Sequence, residues 1–285
     1  MAVRPWLKRN VQRHMIEGRL RPVAARIHDG VVAQEVLLER VLDGFATRDN
    51  SPVPQLTALI KTFERPRIVQ RLVSSIRRLY PDLRIVVVDD SREPIVMDGA
   101  ETIAMPYDSG IAAGRNEGLR QVQTKYVLVL DDDYVFSRQT RLSDALALME
   151  RFPEIDIMGG QLVDLPLYSR RSLREVAGAI YPTKAEARTA IGSSIGGLLV
   201  CEKVPTFFIG RTERIALVSW DPILKRIDHA DFFTRAFGVL TTTFNPHLKC
   251  FHARTPFDDR YMAKRLDLAE SRKILEERYY GRVKS

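Results

Sequence analysis

The chain has 285 residues, of which 45% are hydrophobic and 28% charged, a balance typical of a globular protein and not of a disordered, collagenous or coiled-coil chain. No stretch approaches the roughly 20 apolar residues of a transmembrane helix, and the first residues lack the apolar run of a secretory signal, so we expect a cytoplasmic protein. Two distant cysteines, Cys201 and Cys250, argue against a disulfide framework or a structural zinc site.

The chain is basic, with 44 Lys and Arg residues against 36 Asp and Glu residues. The excess lies mainly in residues 1–50, 164–214 and 250–285. Two interpretations are open: an ordinary solvated surface, or a face toward an anionic membrane or a phosphorylated ligand, with peripheral association at the inner face of the membrane. The sequence has no nucleic-acid-binding module, so no nucleic-acid partner is expected. It does not indicate an oligomeric state.

The order of apolar segments predicts three regions. Residues 1–52 form a helical N-terminal appendage, in which valines and leucines recur at helical spacing before the Pro-containing linker SPVPQ. Residues 53–255 alternate strands with helices, and residues 256–285 form a C-terminal helical segment. Strands are predicted in the runs LTALIK, RIVVVDD, ETIAMP, KYVLVLDDD and DIMGGQLV, with helices between them.

Strands rich in Val, Ile and Leu that alternate with helices predict an α/β fold with a mostly parallel, Rossmann-like sheet covered by helices on both faces. Ligands of such sheets bind beyond the carboxyl ends of the strands. The candidate functional residues are therefore those that directly follow each apolar run.

The most informative of these residues are the three aspartates Asp131, Asp132 and Asp133, which follow the apolar run YVLVL. Packed carboxylates repel one another unless a cation neutralises them. Oxygen ligands in this number favour Mg²⁺ or Mn²⁺, either of which would also bind a diphosphate. The alternative is a solvated acidic turn.

Two other segments are candidates for contacts to a nucleotide. The first strand ends in KTFER, which contributes Thr62 and Arg65, and the second ends in Asp89 and Asp90. Carboxylates at such strand ends accept hydrogen bonds from a ribose or a base, although an aspartate there also caps a turn. The segment GIAAGRNEG places Arg115 and Asn116 near a helix start. The GxGxxG and GxxxxGK[ST] motifs are both missing.

Later in the chain, Asp231 lies beside two phenylalanines, a setting that raises a carboxylate pKa toward that of a general base. A helix cap is the alternative interpretation for Asp231. His252 follows another short strand, and taken alone it favours a structural histidine over a metal ligand.

Together these segments resemble the GT-A glycosyltransferases of the family-two type. The residues that carry the resemblance, in order, are IKTFERP, VVVDDS, GIAAGRNEG and VLDDDYVF over residues 56–136. With DIMGGQLVD, FFIGRTERI, WDPILKRIDHADFF and FHAR, the resemblance extends over residues 56–255 and is closest to the β-1,4-N-acetylgalactosaminyltransferases of ganglioside synthesis.

The resemblance implies specific roles. Thr62, Asp89 and Arg115 would contact the uridine half of the donor, and Asp131 would approach the ribose or the metal. Asp133 and His252 would hold a divalent ion, Mn²⁺ or Mg²⁺, against the diphosphate. Asp231 would be the catalytic carboxylate, standing where the animal enzymes have Glu.

The expected function is therefore a metal-dependent, inverting transfer of a sugar from a UDP-sugar to a hydroxyl group of a glycan or glycolipid acceptor, with N-acetylgalactosamine favoured as the sugar. Two alternatives remain open. One is a sugar-nucleotide nucleotidyltransferase, although IKTFERP has no glycine for the opening loop of such enzymes. The other is an inactive module that binds a nucleotide sugar.

Overall fold

The structure, a computed structural model, describes residues 21–45, 51–170, 173 and 178–281. Outside this range lie the first 20 residues of the predicted appendage and the end of the predicted C-terminal segment. None of the helices in the described ranges has the length and hydropathy to span a bilayer. The domain boundaries at residues 52 and 255 stay predictions.

The core of the molecule is one mixed sheet. Its strands in chain order are β1 (Leu56–Thr62), β2 (Arg84–Asp89), β3 (Glu101–Ala104), β4 (Tyr126–Asp131), β5 (Tyr134–Val135), β6 (Ile157–Asp164), β7 (Ser169–Arg170), β8 (Ser194–Ile195), β9 (Leu198–Val200), β10 (Phe208–Arg211) and β11 (Thr242–His252). They are ordered β3-β2-β1-β4-β10-β6-β11-β9-β8, with β5 paired to β11 and β7 to β6. Strands β1–β4, β6 and β11 all run in one direction, which confirms the predicted mostly parallel α/β fold.

Helices cover both faces of this sheet. They are α1 (Arg21–Phe45), α2 (Pro66–Leu79), α3 (Ile111–Gln121), α4 (Leu142–Arg151), α5 (Thr212–Val218), α6 (His229–Ala236), α7 (Asp259–Arg265) and α8 (Ala269–Tyr280). All seven residues of β1 are buried, as expected for a parallel strand with a helix layer on each side. The helix α2 begins with a proline in its first turn and ends before Pro81, so proline marks both of its ends.

The N-terminal helix α1 packs on the strands that end near the candidate site. Val32 of α1 is buried in a small cluster with Val135, Val163 and Phe251, which come from β5, β6 and β11. Asp43 is fully buried and its carboxylate accepts a hydrogen bond from Arg78 at 2.7 Å. The helix α1 therefore packs against β5, β6 and β11 and is joined to α2 through the contact between Asp43 and Arg78.

Candidate active site

The candidate site lies where β1, β2 and β4 end. In the parallel register, Thr62 of β1 is opposite Asp89 of β2, and Lys61 is opposite Asp131 of β4. The strand ends border a cavity that α7 and the loop before α6 close on the other side. The cavity is lined by Lys61, Thr62, Phe63, Arg65, Asp90, Gly110, Ile111, Asp131, Asp132, Asp133, Lys225, Arg226, His252, Tyr261, Lys264 and Arg265.

The three aspartates at the end of β4 differ in their surroundings. The Asp131 side chain is 37% exposed, whereas Asp132 and Asp133 are buried. Asp132 accepts hydrogen bonds from Thr62 Oγ1 at 2.7 Å and from Arg65 Nε at 3.2 Å, and it forms an ion pair with Arg65. Burial, opposed by the charge of Arg65 and assisted by the neighbouring Asp133, raises the pKa of Asp132 to about 6. Arg65 is thus an internal counter-ion of the triplet.

Asp133 and His252 lie side by side. The Nε2 atom of His252 is 3.4 Å from Asp133 Oδ1, and its Nδ1 atom is 2.8 Å from Asp164 Oδ1. Burial would raise the pKa of Asp133, but the charge and hydrogen bond of His252, followed by the charge of Arg65, hold it well below its usual range. Burial would lower the pKa of His252, yet Asp133 and Asp164 raise it to about 9.

This pair fits part of a divalent-metal site. Asp133 Oδ1 is buried, and within the described ranges its nearest polar partner is His252 Nε2 at 3.4 Å, so this oxygen and this nitrogen lie side by side as two possible metal ligands. Asp164 orients the imidazole from its other nitrogen, as the outer partners of metal-bound histidines do. Within the described ranges no three His, Cys, Asp or Glu side chains are grouped to hold an ion. A magnesium-like ion also takes oxygens from substrate phosphates and water, so two protein ligands are compatible with such a site.

Asp89 and Asp90 have different environments at the end of β2. Asp89 is buried and accepts hydrogen bonds from the backbone N–H groups of Ser91, at 2.9 Å, and Ile95, at 2.8 Å, so it stabilises the following turn. It does not line the cavity. Asp90 does line it, where it forms a buried ion pair with Lys61 and accepts a hydrogen bond from the Gly110 N–H at 2.8 Å. Contact of either carboxylate with a nucleotide stays a prediction.

Lys61 reaches Asp90 by passing over Gly114 of α3. A Cβ atom at Gly114 would lie 2.2 Å from Lys61 Cδ. Lys61 is only 8% exposed, and its ammonium group also donates to the Thr62 carbonyl at 2.5 Å. A methyl group added at Gly114 would therefore require the Lys61 side chain to move.

We expect Gly114→Ala to lower the free energy of unfolding by about 1–3 kcal/mol, the usual cost of overpacking, and to weaken ligand binding at the cavity. Chemical denaturation measures the first effect. The matched control is Gly30→Ala in α1, where nothing lies within 4 Å of the added Cβ and stability is expected to stay or rise slightly. Equal stability of Gly114→Ala and wild type would show that Lys61 adapts without losing Asp90.

Arg115 and Asn116 are brought near the site but do not line it. Arg115 is 2% exposed and donates hydrogen bonds to Asp228 at 2.7 Å and to Asp131 at 2.9 Å. Asn116 holds the loop before α6 by exchanging two hydrogen bonds with the Trp220 backbone, at 2.6 and 2.9 Å. Arg115 thus reaches the cavity through Asp131, and direct contact of either residue with a donor stays a prediction.

Asp231 is not brought to the cavity. It lies in the first turn of α6, is fully buried, and accepts hydrogen bonds from Arg235 at 2.8 Å, Arg278 at 2.6 Å and the Tyr279 hydroxyl at 2.7 Å. Two of these donors belong to the C-terminal helix α8. In this arrangement Asp231 joins α6 to α8.

Sequence reasoning missed the side of the cavity formed by α7 and the loop before α6. Tyr261 of α7 stacks on the Arg65 guanidinium at 3.6 Å, and Lys225, Lys264 and Arg265 contribute basic groups to the lining. For Lys264 and Arg265 the sequence signal was the basic excess in residues 250–285, which does not indicate where the charges lie.

Comparison with known proteins agrees with this architecture. Residues 57–213 match the family Glycosyl transferase family 2, which is more than half of the chain, and the chain therefore belongs to that family. The β-1,4 N-acetylgalactosaminyltransferase 2 of Mus musculus is 36% identical over 213 residues, which cover 73% of this chain and 41% of the mouse protein. The β-1,4 N-acetylgalactosaminyltransferase 1 of Homo sapiens is 36% identical over 194 residues, which cover 65% of this chain and 36% of the human protein.

The chain thus spans about two fifths of the length of these relatives. Among solved structures, S. aureus TarS matches with a TM-score of 0.53 and 18% identity over 78% of this chain and 42% of that chain. TarS residues 1–349 in complex with UDP match with a TM-score of 0.51 and 15% identity over 69% of this chain and 59% of that chain. This likeness confirms the predicted GT-A fold.

Proposed function

We propose that this member of glycosyl transferase family 2 transfers a sugar, with N-acetylgalactosamine favoured, from a UDP-sugar to a hydroxyl group of a glycan or glycolipid. The observation that carries the proposal is the pair formed by the buried Oδ1 atom of Asp133 and His252 Nε2, 3.4 Å apart at the strand-end cavity. The similarity to two N-acetylgalactosaminyltransferases supports the choice of sugar.

In the proposed reaction, Asp133 and His252 would hold a divalent ion, and the Asp164 contact to Nδ1 would keep the imidazole oriented. The ion, when bound, supplies Lewis-acid stabilisation of the charge on a diphosphate leaving group. Arg65 keeps Asp132 neutralised, so the triplet is not left with three uncompensated charges. Transfer by one displacement inverts the anomeric centre and gives a β-linked product from an α-linked donor. Asp231 is the proposed base for the acceptor proton; since it does not line the cavity, its hydrogen bonds to α8 would have to open first.

The test is a screen of UDP-GalNAc, UDP-GlcNAc, UDP-Gal and UDP-Glc for UDP release with Mn²⁺, with Mg²⁺ and with excess chelator. We expect metal-dependent release that is fastest with UDP-GalNAc, and a β linkage by NMR once an acceptor is found. Release of pyrophosphate from a sugar phosphate and UTP would instead identify a nucleotidyltransferase. Binding of UDP-sugars without any turnover would identify a binding module.

We also propose that α1 places the enzyme on an anionic membrane surface, at the cytoplasmic face. Besides its buried face, the helix has a stripe of exposed apolar side chains, which are Val23, Ile27, Val31, Leu37, Leu38, Val41 and Leu42. Residues 1–20, which lead into it, carry five basic side chains and one acidic one. Apolar area together with basic charge is the combination by which peripheral helices bind anionic bilayers.

We expect the protein to float with vesicles of phosphatidylglycerol and phosphatidylcholine and to be released as salt rises, since exposed charges are screened within about 8 Å at physiological ionic strength. Ile27→Ser with Leu38→Ser should abolish flotation, because both residues lie on one helix face and are 60% and 52% exposed. Val96→Ser, at an 87% exposed valine elsewhere, is the control. Flotation that the double variant leaves unchanged would contradict the role of α1.

A further inference from the structure

A second cleft lies beside the strand-end cavity, between the N-terminal half of α1, the turn that joins β1 to α2, and the segment between β11 and α7. Its volume is about 750 Å³ including its open mouth, within the usual range of about 300–1,000 Å³ for small-ligand sites. We call it the α1 cleft. Two of its three walls lie outside residues 57–213, the part of the chain that matches the glycosyl transferase family, so the family match assigns them no role.

The α1 cleft and the strand-end cavity share one wall, the side chain of Arg65. The Nε atom of Arg65 donates to Asp132 in the cavity at 3.2 Å, and its Nη1 atom donates to Thr255 Oγ1 in the cleft at 3.0 Å. The two spaces also adjoin at α7, because Asp258, the N-cap of α7, lines the cleft and Tyr261 in its first turn lines the cavity. A ligand longer than one sugar ring can therefore extend across Arg65 into both spaces.

The helix α1 is fixed as the outer wall of the cleft. The ring of His28 packs edge-on against Phe257 with 5.4 Å between the ring centroids, and Arg21 forms an ion pair with Asp259 at the start of α7. The carboxylate of Asp29 lies 3.1 Å from His28 Nδ1, and its side chain is 66% exposed. Asp29 is therefore accessible to a ligand in the cleft.

Two other carboxylates of the cleft are each held through one oxygen. Glu64 has a φ of +56°, in the left-handed region that non-glycine residues seldom adopt. Its N–H donates to Ser91 Oγ at 2.6 Å, and its Oε1 accepts from the Arg92 N–H at 2.8 Å. Asp258 Oδ1 accepts from the Tyr261 N–H at 3.1 Å. Within the described ranges the second oxygen of each carboxylate makes no hydrogen bond, so each retains an acceptor for a ligand.

The lining of the α1 cleft suits the hydroxyl groups and C–H faces of a sugar. Its donor is Arg67, an exposed arginine that makes no ion pair in the part of the chain that the structure describes, and its aromatic ring is that of Phe257. Carboxylates accept hydrogen bonds from hydroxyl groups, and a guanidinium donates to them. The carboxylates disfavour an anionic ligand because like charges repel. An apolar ligand would cover the charged groups without replacing their hydrogen bonds to water, which costs free energy.

We infer that the α1 cleft binds a sugar residue of the acceptor glycan, next to the residue whose hydroxyl group receives the transferred sugar. This inference deepens the proposed function and rests on it. It makes the acceptor an oligosaccharide of at least two sugar residues, because only such an acceptor extends from the strand-end cavity across Arg65 into the cleft.

The test measures the binding of disaccharides and of their component monosaccharides by NMR titration, without UDP and with UDP and Mn²⁺. The probes are lactose, cellobiose, maltose and N,N′-diacetylchitobiose, with galactose, glucose and N-acetylglucosamine. We expect at least one disaccharide to bind about tenfold more tightly than its components. Asp29→Ala and Arg67→Ala should each remove that advantage, because each deletes one charge-assisted hydrogen bond, worth roughly tenfold in affinity. The matched control is Glu276→Ala, which removes an exposed carboxylate of a helix, α8, outside both spaces.

The outcomes separate the inference from the proposed function. Equal affinity of every disaccharide and its components in wild type overturns the α1 cleft as a sugar site, and so does an unchanged disaccharide advantage in both variants. An equal loss of monosaccharide and disaccharide binding also overturns it, because the substitutions would then have altered the strand-end cavity. If no UDP-sugar is turned over but the disaccharide advantage exists and the variants lose it, the proposed function fails and the cleft remains a saccharide site. UDP release without any disaccharide advantage keeps the proposed function and removes the cleft.

Discussion

Asp133→Asn is expected to reduce kcat/KM for sugar transfer by about 10³-fold, because a Lewis-acid metal contributes several kcal/mol to such a step and each 1.4 kcal/mol is tenfold in rate. The substitution keeps the shape of the side chain but removes the charge that pairs with His252. Metal-dependent UDP binding should disappear with the activity, while the weaker binding in chelator remains.

The control for this experiment is Asp144→Asn. Asp144 is an exposed carboxylate on α4, where it pairs with Arg141 at 2.7 Å, so its loss changes the net charge equally without touching the cavity. Titration calorimetry with UDP and Mn²⁺ separates metal binding from stability. Full activity of Asp133→Asn in excess chelator would remove the metal from the mechanism.

The strand ends were predictable because their signal is local. Uninterrupted apolar runs before KTFER, DDS and DDD predicted buried parallel strands. Because parallel strands end at the same edge of a sheet, Thr62, Asp90 and the acidic triplet were expected to lie together there, and they do. The family resemblance added His252, which lies 3.4 Å from Asp133. The acidic triplet was thus predicted from the local pattern, whereas His252, which ends β11, was predicted only from the family resemblance.

The pairing of side chains within the site was not predictable in the same way. The sequence predicted Arg65 as a contact to the nucleotide, but in the structure its guanidinium forms an ion pair with Asp132 and neutralises that carboxylate. Arg115 is likewise held between Asp228 and Asp131. Which cation neutralises which carboxylate depends on side-chain distances across the sheet, and a sequence pattern does not contain them.

Long-range packing explains the other differences. β10 inserts antiparallel between β4 and β6, although its sequence FIGR carries no sign of direction. The helix α7 completes the cavity through contacts such as that of Tyr261 with Arg65, which lies almost 200 residues earlier in the chain. Periodicity predicts that such a helix exists but not the surface on which it packs.

The Asp231→Asn variant tests whether Asp231 of α6 takes the proton of the acceptor hydroxyl. As the base for the acceptor proton, Asp231 is expected to account for about 10²- to 10⁴-fold in rate. Its carboxylate, however, is fully buried and accepts hydrogen bonds from Arg235, Arg278 and Tyr279. Proton transfer therefore requires the α8 contacts to open when the acceptor binds.

These contacts also predict a cost in stability. Hydrogen bonds to a charged group are worth about 1.5–3 kcal/mol, and the Arg235 and Arg278 side chains are 31% and 29% exposed, so water offsets part of their loss. We expect Asp231→Asn to lower the free energy of unfolding by roughly 2 kcal/mol, measured by chemical denaturation. Rates must therefore be compared at a temperature where every variant is fully folded.

The matched variant is Arg278→Gln, which loosens α8 but leaves the Asp231 carboxylate and its Arg235 contact in place. If Asp231 is the base, Asp231→Asn loses at least about 10²-fold in kcat with unchanged UDP affinity, whereas Arg278→Gln stays within about tenfold of wild type. An equal loss in both variants would show that Asp231 holds α6 in position and does not take the proton. Asp228, which is buried at the start of α6 and paired with Arg115, would then be the carboxylate to replace next.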